Sequence, residues 1–117
     1  MKTQDVLIVG GAGYIGSHMV KSLVGSKFNP IVLDNLVYGH KKALSKGVKF
    51  YKGDLGNKKL LNKIFRKHNV KAVMHFAAYA YVGESVIEPA KYYNNNVVKT
   101  VRLLDAMVAN KVSNFIF

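Results

Sequence analysis

The strongest constraint on this chain is a short apolar run, Val6 to Val9, that breaks at once into the closely spaced glycines of Gly10-Gly11-Ala12-Gly13-Tyr14-Ile15-Gly16. An unbroken apolar run without polar alternation is the pattern of a strand buried on both faces, as in a parallel sheet. Beyond the glycines, Ile15, Met19, Val20 and Leu23 recur at helical spacing, which predicts a helix from Tyr14 to about Gly25. Two glycine spacings overlap: Gly11, Gly13 and Gly16 fit G-x-G-x-x-G, and Gly10, Gly13 and Gly16 fit G-x-x-G-x-x-G. Between a strand and a helix, one glycine permits the turn, one lets the backbone approach a ligand, and one lets helix and strand pack closely. The unpaired N–H groups at the helix start, with the helix dipole, favour an anion. A dinucleotide pyrophosphate is the anion such an arrangement holds.

The rest of the chain repeats the alternation of short apolar runs and longer amphipathic segments. Asn29-Pro30 marks a turn before a second strand, Ile31 to Leu33, and a polar loop with Gly39 and a short helical piece follow. Val48 to Tyr51 reads as a third strand, and Asn57 as the N-cap of a helix carrying Leu60, Leu61, Ile64 and Phe65. Ala72 to Phe76 reads as a fourth strand. A polar loop then leads through Glu88-Pro89 into a long helix whose Val97, Val101, Leu104 and Val108 keep one apolar face, and Ser113 to Phe117 opens a fifth strand. Strands alternating with helices predict the α/β class. The expected architecture is a Rossmann-type doubly wound parallel sheet of strand order 3-2-1-4-5, one domain over residues 1–117, truncated at strand five.

Composition narrows the partners. Eighteen lysines and arginines face six acidic residues, a formal net charge of +12, but only Arg66 and Arg102 are arginine. The lysines are scattered over helices and turns, and base-edge reading leans on arginine, so the charge reads as a solvated surface and no nucleic-acid partner is expected. The chain has no cysteine, which excludes disulfides and thiolate metal sites and fits a reducing, cytoplasmic setting. Its apolar stretches fall below the ~18 residues of a spanning helix, so no membrane partner is expected either.

Asp34 ends the second strand, eighteen positions after Gly16. A carboxylate there can accept from the adenosine ribose hydroxyls and repels a 2′-phosphate, which favours NAD over NADP. Asp54-Leu55 follows the third strand in the same way and can receive the adenine amino group. After the fourth strand, Ala77 and Ala78 let the backbone lie against a ligand, whereas His75 reads as a satisfied strand residue. Asn94-Asn95-Asn96 is a poor choice for helix propensity, and such a local departure can mark a site.

The segments GGAGYIGSH, LDNL, GDL, HFAA-x-x-x-VGES and YYNNNV followed by LLDAM resemble the N-terminal half of the UDP-glucose 4-epimerase family, within the extended short-chain dehydrogenase/reductase group. The resemblance covers essentially the whole chain. It implies interconversion of UDP-glucose and UDP-galactose by transient oxidation at C4 of the sugar with bound NAD, in galactose metabolism. It also implies that Tyr14 and Ile15 join the glycines at the pyrophosphate, and that Asp34, Asn35 and Leu36, with Gly39 in the same loop, hold the adenosine ribose. Asp54 and Leu55 take the adenine, Phe76, Ala77 and Ala78 line the middle of the cofactor, and Asn96 reaches the nicotinamide half. Two positions depart from the family pattern: Val9 replaces a threonine before the first glycine, and Ala80 stands where many members carry a lysine. The family's proton-transfer tyrosine, its lysine and a serine beyond strand five would follow Phe117, so no catalytic residue is assigned and residues 1–117 alone are expected to be inactive. The UDP-sugar is accordingly a partner of the full-length protein, and pairing into a homodimer through helices that include the long one is a further implication. Strand five, as an exposed apolar edge, predicts instability or self-association. Two other readings are a different NAD-dependent nucleotide-sugar reductase or dehydratase and a non-catalytic nucleotide-binding module.

Overall fold

A computed structural model of the chain describes residues 3–117. Five parallel strands, β1 (Gln4–Val9), β2 (Phe28–Asp34), β3 (Lys49–Lys52), β4 (Val70–His75) and β5 (Asn114–Ile116), form one sheet in the order β3-β2-β1-β4-β5. This is the expected doubly wound order. The chain runs outward from β1 to β3 and then crosses to the other side of β1, so the connections after β1 and β4 lead to helices on opposite faces and leave a crevice at the strand C-termini. The turn expected at Asn29-Pro30 is instead part of β2, with Pro30 opposite Val6. Pairing with β3 begins only at Ile31, so at Pro30 the strand has one neighbour, the edge-like position that tolerates a missing N–H.

Alternate residues of the central strands feed two cores. On one face Leu7, Val9, Ile31, Leu33 and Val73 meet Leu61, Ile64 and Phe65 of α2 (Lys58–Lys67) and the long helix beyond β4. On the other, Val6, Ile8 and Val32 meet Val20 of α1 (Tyr14–Leu23). Helix α2 starts where expected, the Asn57 side chain accepting from the Leu60 N–H at 3.1 Å. Of the apolar residues assigned to the inner face of α1, Val20 is buried and Met19 and Leu23 are half-buried, but Ile15 is exposed. It lies in the first turn of α1.

Two expectations fail between β4 and β5. The segment read as a polar loop contains a short helix, α3 (Val82–Ile87). The long helix beyond it is α4 (Pro89–Tyr93), a π turn over Asn94–Val98, and α5 (Lys99–Ala109), with Pro89 in the first turn where its missing N–H costs nothing. Its expected inner stripe is also the wrong one. Val97, Val101, Leu104 and Val108 are exposed, whereas Tyr92, Leu103, Ala106 and Met107 are buried. The helix carries two apolar stripes, and periodicity cannot choose between them. The sheet chooses the stripe containing Ala106, whose small side chain lets α5 approach closely, and each fully buried leucine such as Leu103 contributes about 2 kcal/mol.

Candidate functional site: a groove at the strand C-termini

The groove begins at the glycine loop. Gly10 has φ +79°, and a Cβ there would lie 2.6 Å from the Ala77 backbone nitrogen, so the β1 and β4 loops touch backbone to backbone. A Cβ on Gly16 would overlap the Gly10 carbonyl oxygen, so α1 rests directly on the turn. Gly13 is different: a Cβ there has no neighbour closer than 3.4 Å, and Gly13 lines the groove. The loop is therefore tight where the protein packs on itself and open where a ligand can approach. Gly13 is the N-cap of α1 and supplies no side-chain cap, and the first turn contains no acidic residue. The first intrahelical bond runs from the Ser17 N–H to the Gly13 carbonyl, which leaves the N–H groups of Tyr14, Ile15 and Gly16 at the open helix end. The side chains of Tyr14 and Ile15 point to solvent, so these residues bring only their backbones to the site.

Asp34 closes the second side. Its buried carboxylate accepts from the Ala12 N–H at 3.0 Å and from the Leu36 N–H at 2.8 Å. The first bond joins the β2 loop to the glycine loop; the second holds Leu36 at φ +64°, a left-handed backbone that an Asx turn makes accessible. The same loop returns to Ala12 at His40, whose N–H donates to the Ala12 carbonyl at 3.0 Å, and Gly39 is pressed against Ala12 between them. Asp34, Asn35 and Gly39 line the groove, and Leu36 does not. A carboxylate has about four lone-pair sites, so Asp34 keeps acceptor capacity beyond its two loop bonds.

Asp54 and Leu55 line the far end of the same groove. Leu55 is buried and belongs to the core, while Asp54 pairs with Lys99 of α5 at 2.9 Å and accepts from the Gly56 N–H at 3.2 Å. Phe76, Ala77 and Ala78 form the β4 wall, and Phe76 is fixed by its N–H bond to the Val9 carbonyl at 2.8 Å. His75 lies behind that wall. Thr100 Oγ1 donates to the Asn96 carbonyl at 2.8 Å, so at the 3.0 Å contact with Thr100 it is His75 Nε2–H that donates. His75 Nδ1 is then a buried acceptor without a partner, and burial holds the imidazole below its ordinary pKa of 6.5 and neutral.

Asn96 is spent on the neighbouring loop rather than on the groove lining. Its Oδ1 accepts from the Tyr79 N–H and its Nδ2 donates to the Tyr79 carbonyl, both at 2.9 Å, so it grips the β4 loop by its backbone. The groove is lined instead by Asn95, buried at the π turn and donating to Asn96 Oδ1 at 3.0 Å. Tyr38, Gly53 and Tyr79 also line it. The sequence signal for Asn95 is the run of three asparagines in a helical segment, which marks the position without choosing among the three; Tyr38 and Tyr79 carry no such local signal. Among the described residues no cluster of side chains suits a metal ion, and no helix is long and apolar enough to cross a membrane.

A glycine turn under an uncapped helix, with an acid ending the second strand, is a dinucleotide cradle. The sequence matches the NAD dependent epimerase/dehydratase family over residues 6–117. The chain belongs to that family. Among its relatives, the UDP-glucose 4-epimerase of Lactobacillus helveticus is 50% identical over 112 residues, covering 96% of this chain and 34% of that protein. The one from Rhizobium meliloti is 43% identical over 117 residues, covering 100% and 35%. The crystal structure of UDP-glucose 4-epimerase from Brucella ovis in complex with NAD superposes with a TM-score of 0.91 at 49% identity, covering 97% of this chain and 34% of that one. The Thermus thermophilus enzyme, also in complex with NAD, gives 0.92 at 37% identity, covering 97% and 37%. The chain thus spans about a third of the length of the epimerases it matches.

Proposed function

We propose that this chain is the NAD-holding part of a UDP-glucose 4-epimerase, acting in galactose metabolism in the cytoplasm. The observation that carries the reading is the glycine cradle: a turn closed by backbone contact at Gly10 and Gly16, open at Gly13, beneath a helix end with no acid of its own. Bound there, NAD supplies the hydride acceptor for transient oxidation at C4 of a UDP-sugar. The chain's own residues do the holding. The N–H groups of Tyr14, Ile15 and Gly16 receive the pyrophosphate. Asp34 accepts from the ribose hydroxyls and disfavours a 2′-phosphate, so NAD is selected over NADP. Asp54 and Leu55 take the adenine, the Phe76-Ala77-Ala78 wall carries the middle of the cofactor, and on the nicotinamide side Asn95 faces the cofactor while Asn96 acts through the Tyr79 backbone it holds.

The UDP-sugar is a partner of the full-length protein. The exposed stripe Val97, Val101, Leu104 and Val108 supports pairing of two copies through the long helix. The lysines are spread over the surface, and their reading as solvating charge, with no nucleic-acid partner, is retained. Calorimetric titration tests the cofactor: NAD saturates one site, NADP binds at least about tenfold more weakly, and Asp34→Ala erodes the difference. A chain that is folded by circular dichroism yet takes up no NAD contradicts the reading.

A further inference from the structure

The two walls of the groove touch each other. Tyr38, on the loop after β2, packs edge to face against Tyr79 and Tyr81, on the loop after β4, with ring centroids 5.4 and 5.3 Å apart. Because β1 lies between β2 and β4 in the sheet, these contacts cross the groove rather than join neighbours along one wall, and Tyr38 and Tyr79 both line it. The two sides are held unequally. Asn96 grips the Tyr79 backbone at both its N–H and its carbonyl. The Tyr81 N–H donates to the Tyr92 hydroxyl at 3.2 Å, that hydroxyl donates to Glu84 at 3.1 Å, and the Lys91 ammonium lies 5.1 Å over the Tyr79 ring. Tyr38 has no such support. Among the described residues it makes no hydrogen bond, and its loop is held by main-chain bonds on either side of it: the Leu36 N–H to Asp34, the Val37 N–H to Asn35 Oδ1 at 2.9 Å, and the His40 N–H to the Ala12 carbonyl.

We propose that Tyr38, Tyr79 and Tyr81 form a clasp across the dinucleotide site, with the β4 loop as its fixed jaw and the Tyr38 loop as its moving one. This rests on the dinucleotide reading above. A ligand extended from Asp34 to Asn95 crosses the glycine loop and passes beneath the tyrosine contact, so the clasp parts for entry and for release and closes over the pyrophosphate between them. The clasp therefore governs the rate of exchange more than the affinity. Edge-to-face pairing needs the ring and not the hydroxyl.

Stopped-flow binding of NADH to the whole chain reads both rates. Tyr38→Ala removes both ring contacts, and the association and dissociation rate constants rise together by about tenfold, while Kd moves by less than about threefold. Tyr38→Phe keeps the ring and both rates. Unchanged rates in Tyr38→Ala, or faster dissociation alone, overturn the clasp and leave the dinucleotide reading standing. No NADH binding by any folded version overturns both. A second measurement needs no ligand. The chain has no tryptophan, so Tyr38→Trp creates a single indole reporter. Its emission shifts to longer wavelength when Tyr79→Ala and Tyr81→Ala are added, and an unshifted emission overturns the clasp.

Discussion

The two flanks of the groove are built by different forces. On the flank of β1, α1 and β2, backbone sterics decide the structure: Gly10 meets the Ala77 backbone, α1 rests on the Gly10 carbonyl, and Asp34 bonds to main-chain N–H groups. On the flank of β4, the π turn and α5, side-chain packing decides it, choosing one of two apolar stripes and placing Asn95 rather than Asn96 on the groove. A constraint carried by the backbone is specific to residue type and position. A constraint carried by packing depends on partners far away in the chain.

The glycine loop separates the two kinds of constraint most strongly. Gly16→Ala has no flexible neighbour to displace, and it lowers stability by about 3 kcal/mol or more in chemical denaturation. Gly13→Ala meets only ordinary contact and folds within about 1 kcal/mol of the parent, but it loses NAD affinity because its methyl group occupies the ligand's path. Equal unfolding of the two variants contradicts the division of the loop into packed and open glycines.

On the other flank, Leu103→Ala costs about 2–5 kcal/mol, since the side chain is fully buried. Leu104→Ala, next to it on the exposed stripe, costs about 0.5 kcal/mol in dilute solution. If the Leu104 cost grows with protein concentration, that stripe is covered by a second copy. Asn96→Ala then removes both bonds to Tyr79 and costs about 1–3 kcal/mol, whereas Asn95→Ala acts mainly on NAD affinity. Comparable stability losses for both count against the separation of grip from lining.

The smallest effect is a pH dependence. Burial holds the His75 imidazole below 6.5, so below that pH the unfolded chain binds more protons than the folded one. The His75 contribution is therefore constant above about pH 6.5 and falls as the pH drops below it, by at most about 1.4 kcal/mol per unit. His68, also depressed by burial against an opposing pull from Asp5, adds to the slope. His75→Gln flattens the profile in urea melts at pH 5 and 7; an unchanged slope shows that His75 is not its source.

The strand order, the glycine turn, the Asn57 cap and the groove positions of Asp34, Asp54 and Ala77 were legible because each follows from local pattern or backbone freedom. Pro30 misled because its tolerance depends on where β3 starts, which the local sequence does not show. The Leu36 N–H bond to Asp34 was not legible, because it depends on a left-handed backbone that leucine rarely adopts. The stripe on α5 was ambiguous because Leu103 and Leu104 are equally apolar and only the sheet distinguishes them. Tyr38 and Tyr79 carry no local signal because their meeting is a tertiary contact between loops far apart in the chain.

The central claim is that the open end of α1 holds the pyrophosphate. Backbone amide NMR of the nitrogen-15-labelled chain during NAD titration tests it most directly. With the pyrophosphate there, the Gly13 to Gly16 amides show the largest shifts, together with increased protection from hydrogen exchange. Saturable NAD binding that leaves those amides unmoved and perturbs the basic outer face of α2 instead would contradict it.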